Sequence, residues 1–286
     1  MSLSSTISRV TLALSLSTLM GVMVVGRAYA AEDDHDVPRV VSFGGTCANC
    51  ELSGRKLTGA RFMGANFAGA LLVGSDLRGA SFFGSNFSGA DLTRADLRGA
   101  SMMGATFILA NFTEATLDGL QAKGAMFLNA NLTKARFESS EMDGANFGHV
   151  DARGANFNNA ELTGANFAGA HLERATFRNA SLTGANFAGS LFAGADFKDA
   201  DMEHAQLQGA DLSGARNLTQ DQLDDACGDS STRLPAGLTA KTCRGRVMVV
   251  HSPHGPRVVV LPTPPAPPSP PTAPTPRQHW WVEPTN

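Results

Sequence analysis

The sequence predicts an all-β solenoid: a four-sided β-helix of about eight stacked coils, followed by a short capping helix and a Pro-rich tail. Three observations predict it. From residue 57 to residue 212 every fifth residue is Leu, Phe, Met or Ala, and the phase holds through 32 consecutive five-residue units. The residue two places earlier is small: positions 60 to 210 hold 25 Ala and 4 Ser, with Leu120 and Val150 as the exceptions. Longer stretches then recur at 20 residues, as Leu162-Thr163-Gly164-Ala165-Asn166-Phe167 does at Leu182-Thr183-Gly184-Ala185-Asn186-Phe187.

A period of five matches neither the 3.6 of a helix nor the 2 of a strand. It matches a coil that turns a corner every five residues. On each side a small and a large residue point inward, with one polar residue pointing out between them. The last position of each unit is Gly in 20 of 32 cases, which suits a corner's backbone angles. Four units per 20-residue period make each coil four-sided, and 32 units make eight coils. At a spacing of roughly 4.8 Å the rod is about 40 Å long. Sorting the large positions by 20 gives one pure column, Phe67, Phe87, Phe107, Phe127, Phe147, Phe167 and Phe187, expected to stack as an aromatic ladder. Leu120 and Val150 fill small slots, and the large slots beside them hold Ala122 and Ala152. Those swaps conserve volume, which requires both positions to face one core. Only Phe43 and Phe83 of the 17 Phe lie off the large position.

These units resemble the pentapeptide repeat family, whose motif is A(D/N)LXX, over residues 51 to 216. The resemblance implies a right-handed quadrilateral β-helix, and a repeat spent on its own scaffold leads to the expectation of a non-enzymatic scaffold or protein-interaction module. It also brings one known activity into view, since some members mimic DNA and bind type II topoisomerases through an acidic surface. Residues 51 to 216 hold 17 Asp+Glu and 14 Lys+Arg, a net of −3. The corner column Arg78, Arg98, Asp118, Glu138, Arg178 and Lys198 mixes signs, so no acidic stripe of the kind that mimics a phosphate backbone is expected, and no basic stripe for nucleic acid. Family members also dimerise end to end through a β-helix terminus, so a homodimer is among the expectations.

The remaining segments read as follows. Residues 1–30 carry Arg9, an apolar stretch around Leu12 to Val25 and the small-x-small ending Ala28-Tyr29-Ala30, the pattern of a secretory signal. The expectation is a periplasmic or secreted protein with no transmembrane span after signal removal, whose partner is a protein or envelope component. Residues 31–46 read as a linker and 47–216 as the β-helix. Residues 217–243 read as a cap, with a helix over 219–226 whose start, Thr219 with Gln222 three residues on, forms a capping box. The segment Leu234 to Cys243 resembles a tail seen behind bacterial pentapeptide repeats. Two apolar runs within 244–261 suggest a hairpin, and 262–286 is a Pro-rich spacer ending in Trp280 and Trp281, a candidate anchor for a partner.

Four Cys in an exported chain suggest disulfides. A Cys227–Cys243 bridge across the cap is favoured; Cys47 and Cys50 fall on inward positions of the first coil, where a bridge is tight. A redox or metal role for Cys47-Ala48-Asn49-Cys50 is the competing reading, although no second CxxC and no following His supports it. His149, His171 and His204 lack ligand spacing, and His251 with His254 lack further ligands. No cofactor is expected, and no nucleophile elbow, P-loop or zinc-protease motif is present.

Overall fold

A computed structural model describes residues 41–243, 247–252 and 255–260. The chain divides into two units at the junction of Thr242 and Cys243. The first is the β-helix with its cap. Its coils stack in parallel at an offset of 20, as in Asn66↔Asn86, Asp91↔Asn111 and Glu141↔Glu161. Three-residue strands mark the first side near the start: β1 (Val41–Phe43) pairs with β2 (Arg61–Met63), and β2 with β3 (Ser81–Phe83), all parallel. Among the described residues the ladder already runs at Val41, within the segment that the sequence reads as a linker. Pairing there needs only backbone groups, so it proceeds before the inward Ala pattern is established.

Each side contributes one outward residue, at 61, 66, 71 and 76 and every 20 residues from each; these define the first to fourth sides. Every large position from Phe67 to Leu212 is buried. So are both swapped pairs, with Leu120, Ala122, Val150 and Ala152 all at 0% exposure. Serines in small slots satisfy their buried hydroxyls locally, as Ser140 Oγ does by donating to the Phe137 carbonyl at 2.6 Å.

The corners explain the rest of the motif. The large residue's carbonyl accepts from the N–H three residues on, as from Ala70 to Phe67 at 3.0 Å. The residue before that donor has positive φ, as at Gly69 (65°), which is the third residue of a type II turn. All 12 units without Gly at this position also have positive φ there, Leu109 at 60° and Lys134 at 57° included. An outward Asn or Asp completes the turn: its Oδ1 accepts from the N–H two residues on, at 3.1 Å from Ala68 to Asn66 and 3.0 Å from Thr93 to Asp91. This Asx geometry is the physical reason for Asn and Asp between the small and large residues.

The aromatic column stacks beneath the second side. Successive ring centroids from Phe67 to Phe187 lie 4.7 to 5.3 Å apart. A second ladder, absent from the sequence reading, lies under the fourth side: Phe137, Phe157, Phe177 and Phe197, spaced 5.0 to 5.4 Å. Edge-on contacts such as Phe157–Phe167 at 5.7 Å and 83° join the two.

The C-terminal end is covered. Helix α1 spans Gln220–Asp224, shorter than the expected 219–226, with Thr219 as N-cap and the capping box formed. It stops there because Ala226 buries and Cys227 enters β4 (Cys227–Gly228), which pairs in parallel with β5 (Lys241–Thr242). Leu223 is fully buried. Gln222 also donates to the carbonyls of Phe197 and Ala200, each at 2.8 Å, tying the helix to the last coil. Beyond α1 the ladder continues with an insertion, Gln206↔Cys227 and Asp211↔Arg233. Asp229 holds that loop by accepting from Ser231 and Gly209, and those bonds keep its carboxyl at about 2.

In the second unit β6 (Val247–Ser252) and β7 (Gly255–Val260) pair antiparallel, in the residues that carry the two apolar runs.

Candidate functional site

With the inward positions committed to packing, chemistry available to a partner resides on the four outward sides. They differ. The fourth side is an ion-pair ladder. Arg78 and Arg98 fold back on Asp76 and Asp96 at 2.6 and 2.5 Å, and Arg78 also reaches Asp96 at 3.8 Å. Hydrogen bonds from Arg78 hold the Asp76 carboxyl at about 2. Arg136 bridges Asp118 and Glu138 at 3.1 and 3.2 Å. Farther along, Arg178 reaches Asp196 at 2.6 Å. The Asp196 side chain is 1% exposed. Burial raises its pKa, and this is outweighed by hydrogen bonds from Asn217 (2.8 Å), Arg178 and the Lys198 N–H, so the carboxyl lies below its usual range. The first side is also ionic: Lys123 lies 3.2 Å from both Glu141 and Asp143, which raise its pKa.

The second side carries an amide ladder in place of charge. Asn86 donates Nδ2 to Asn66 Oδ1 at 3.3 Å, and Asn166 and Asn186 donate to the coil before at 3.1 Å each. On the corner after it, side chains of one coil cover the glycines of the next. A Cβ on Gly169 would sit 2.5 Å from His149 Nδ1, and one on Gly69 would sit 2.4 Å from Asn49 Oδ1.

The other sequence candidates fall as follows. Cys47 and Cys50 are bridged, with Cα atoms 5.1 Å apart, across the same corner that Phe67 and Ala70 span elsewhere. Cys47 packs against the hydrophobic core, so the bridge closes the inward side of the first coil. Cys227 and Cys243 are each disulfide-bonded. His171 and His204 stand apart, beside Glu173 and Glu203 at 3.5 and 3.3 Å. Among the described residues there is no group of three His, Cys, Asp or Glu that could hold a metal, and no helix long and apolar enough to cross a membrane. An open hollow of about 460 Å³ lies where α1 meets the last coil, lined by Lys198, Asp199, Asp201, Thr219 and Gln222 among others. Trp280, Trp281 and residues 1–40 lie outside the described residues.

The chain belongs to the pentapeptide repeat family, whose model matches it in eight copies over residues 47–82, 60–99, 105–147, 140–179 and 180–216. Its fold is the right-handed quadrilateral β-helix. Among solved structures it is similar to HetL, a pentapeptide repeat protein involved in heterocyst differentiation regulation in the cyanobacterium Nostoc. The two are 27% identical over 68% of this chain and 89% of HetL, with a TM-score of 0.63. It also matches full-length QnrB1, a plasmid-mediated fluoroquinolone resistance protein, at 22% identity over 67% of this chain and 94% of that one, with a TM-score of 0.30. A pentapeptide repeat protein from the Arabidopsis thaliana thylakoid lumen matches at 27% identity, over 52% and 72%, with a TM-score of 0.21. No curated protein matches the chain.

Proposed function

We propose that this protein is a non-catalytic, exported interaction scaffold, a rigid rod that presents its outward sides to a protein or envelope component in the periplasm or outside the cell. One observation carries the reading. From Phe67 to Leu212 every inward large side chain is buried, so the repeat spends its apolar chemistry on the core and varies only outside. Such quasi-one-dimensional rods offer long, regular contact surfaces. The secretory pattern of residues 1–30 and the Trp280-Trp281 ending of the Pro-rich tail support the location and a tethered anchor. Pairing of the fourth-side carboxylates with Arg weighs against a DNA-mimicking acidic stripe.

The test is the N-terminal mass and compartment of the natively expressed chain. A mature start at Ala31 in the periplasmic or secreted fraction is expected. An intact Met1 in the cytosol, with inhibition of gyrase supercoiling by the purified protein, would replace this reading with topoisomerase binding. Deleting residues 262–286 should leave folding intact and weaken envelope association; equal association would remove the tail from the proposal.

A further inference from the structure

Charge is unevenly distributed around the rod. Residues 51 to 216 carry 17 acidic and 14 basic side chains, 31 in all, and none lies on the second side or on the corner that follows it. That strip comprises three positions in each of eight coils, 24 positions from 66 to 209, while the remaining outward positions hold every charge. Of six exposed large hydrophobic residues among the described residues, Leu109 (67% exposed) and Met126 (38%) lie on the strip, Met63 (42%) and Phe83 (48%) on the corner leading into it, and Leu71 and Leu191 on the third side. Phe83 is one of the two Phe that the repeat does not use.

The strip is also prepared for drying. Asn66, Asn146 and Asn166 Oδ1 each accept a backbone N–H and an amide from the next coil. Those oxygens are already bonded within the rod and lose little when water leaves them, whereas Gln208 Oε1 near the C-terminal end of the strip is buried without a partner. Small corner residues such as Gly148, Ala168 and Ala188 leave it low in relief toward the C-terminal end.

We infer that this side is an interface with a second copy of the chain, in an isologous face-to-face dimer. An isologous contact sets a patch against itself, and a side without charge does so with no like-charge juxtaposition. Size agrees. About eight coils at 4.8 Å by a width of roughly 20 Å, both corners included, give about 750 Å², near the ~800 Å² per partner of a standard stable interface, with the charges of the leading corner, Lys123, Asp143 and Glu203, at its rim. The contact is lateral, in contrast to an end-to-end contact through a β-helix terminus. It is independent of export.

Sedimentation velocity on the full chain at tens of micromolar tests it. The wild type is expected to run as a dimer. Met126→Lys/Leu109→Lys, both on exposed positions, should run as a monomer with an unchanged circular dichroism spectrum, whereas Thr116→Lys on the fourth side should stay dimeric. Phe83→Ser, which adds no charge, should weaken the dimer at least severalfold and serves if the double variant fails to fold. A monomeric wild type, or a dimer unmoved by Met126→Lys/Leu109→Lys and Phe83→Ser, would overturn the inference. So would a monomer that co-sediments with neutral phosphatidylcholine vesicles through these residues, which would assign the strip to a lipid surface.

Discussion

Beneath the second side Phe67 to Phe187 stack at 4.7 to 5.3 Å, and beneath the fourth side Phe137 to Phe197 stack at 5.0 to 5.4 Å. The interiors are alike. Outside, the second side bonds amide to amide along the rod, while the fourth pairs Arg with Asp and Glu. The fold needs an outward residue that caps the corner, and Asn or Asp does so equally well through Oδ1. On the second side the amide ladder itself calls for Asn, since a carboxylate cannot donate to the coil before; the first corner positions beside it, Ser88, Ile108 and Leu128 among them, carry no charge without that demand and point to contact with something else.

If the interiors are equivalent, the largest effects should be equal on the two sides. Phe147→Ala and Phe157→Ala remove fully buried rings from one ladder each, and both should cost about 3–5 kcal/mol in chemical denaturation. A difference beyond about 1 kcal/mol between them would break the equivalence. Next come the corners. Gly164 has no neighbouring atom within 4 Å at a Cβ position, so Gly164→Ala should cost only the left-handed backbone strain, about 1–2 kcal/mol. Gly169→Ala adds a collision with His149 and should cost about 1 kcal/mol more. Combining it with His149→Ala should recover that increment, which thermal unfolding would show.

The fourth side, unlike the second, should depend on charge. Asp196→Ala strips hydrogen bonds from Arg178, Asn217 and Lys198 where the last coil meets the cap, and should cost about 2 kcal/mol. The smallest effect is that of Asp76. Its carboxyl sits at about 2 against an ordinary 3.8, so its contribution is present above pH ~4 and lost as pH falls through about 2. Arg78 is nearly half exposed, which limits the pair to under about 1 kcal/mol. The stability gap between wild type and Asp76→Asn should close between those pH values; a gap that persists at pH 2 would mean that the pair is not its source.

Much of this was legible in the sequence. The period of five, the 20-residue recurrence and the Leu120/Ala122 and Val150/Ala152 swaps specify a four-sided coil, because only a shared core accepts them. The Phe137–Phe197 column was missed, since Leu57, Leu77, Leu97 and Leu117 occupy the same column earlier and hide its run of Phe. The pairing at Val41, ahead of the expected boundary at 47, has no inward-Ala signature because parallel pairing of that strand is a backbone event. The bare second side was missed for a different reason. A net charge of −3 sums over all sides, and only sorting charges by column shows one of them empty.

Small-angle X-ray scattering of the full chain tests most directly whether the second side is the contact surface. The account predicts a particle with twice the monomer mass and an enlarged cross-section, with the rod length near the ~40 Å of a single stack. A doubled rod length at single-rod cross-section, or monomer mass throughout, would contradict it.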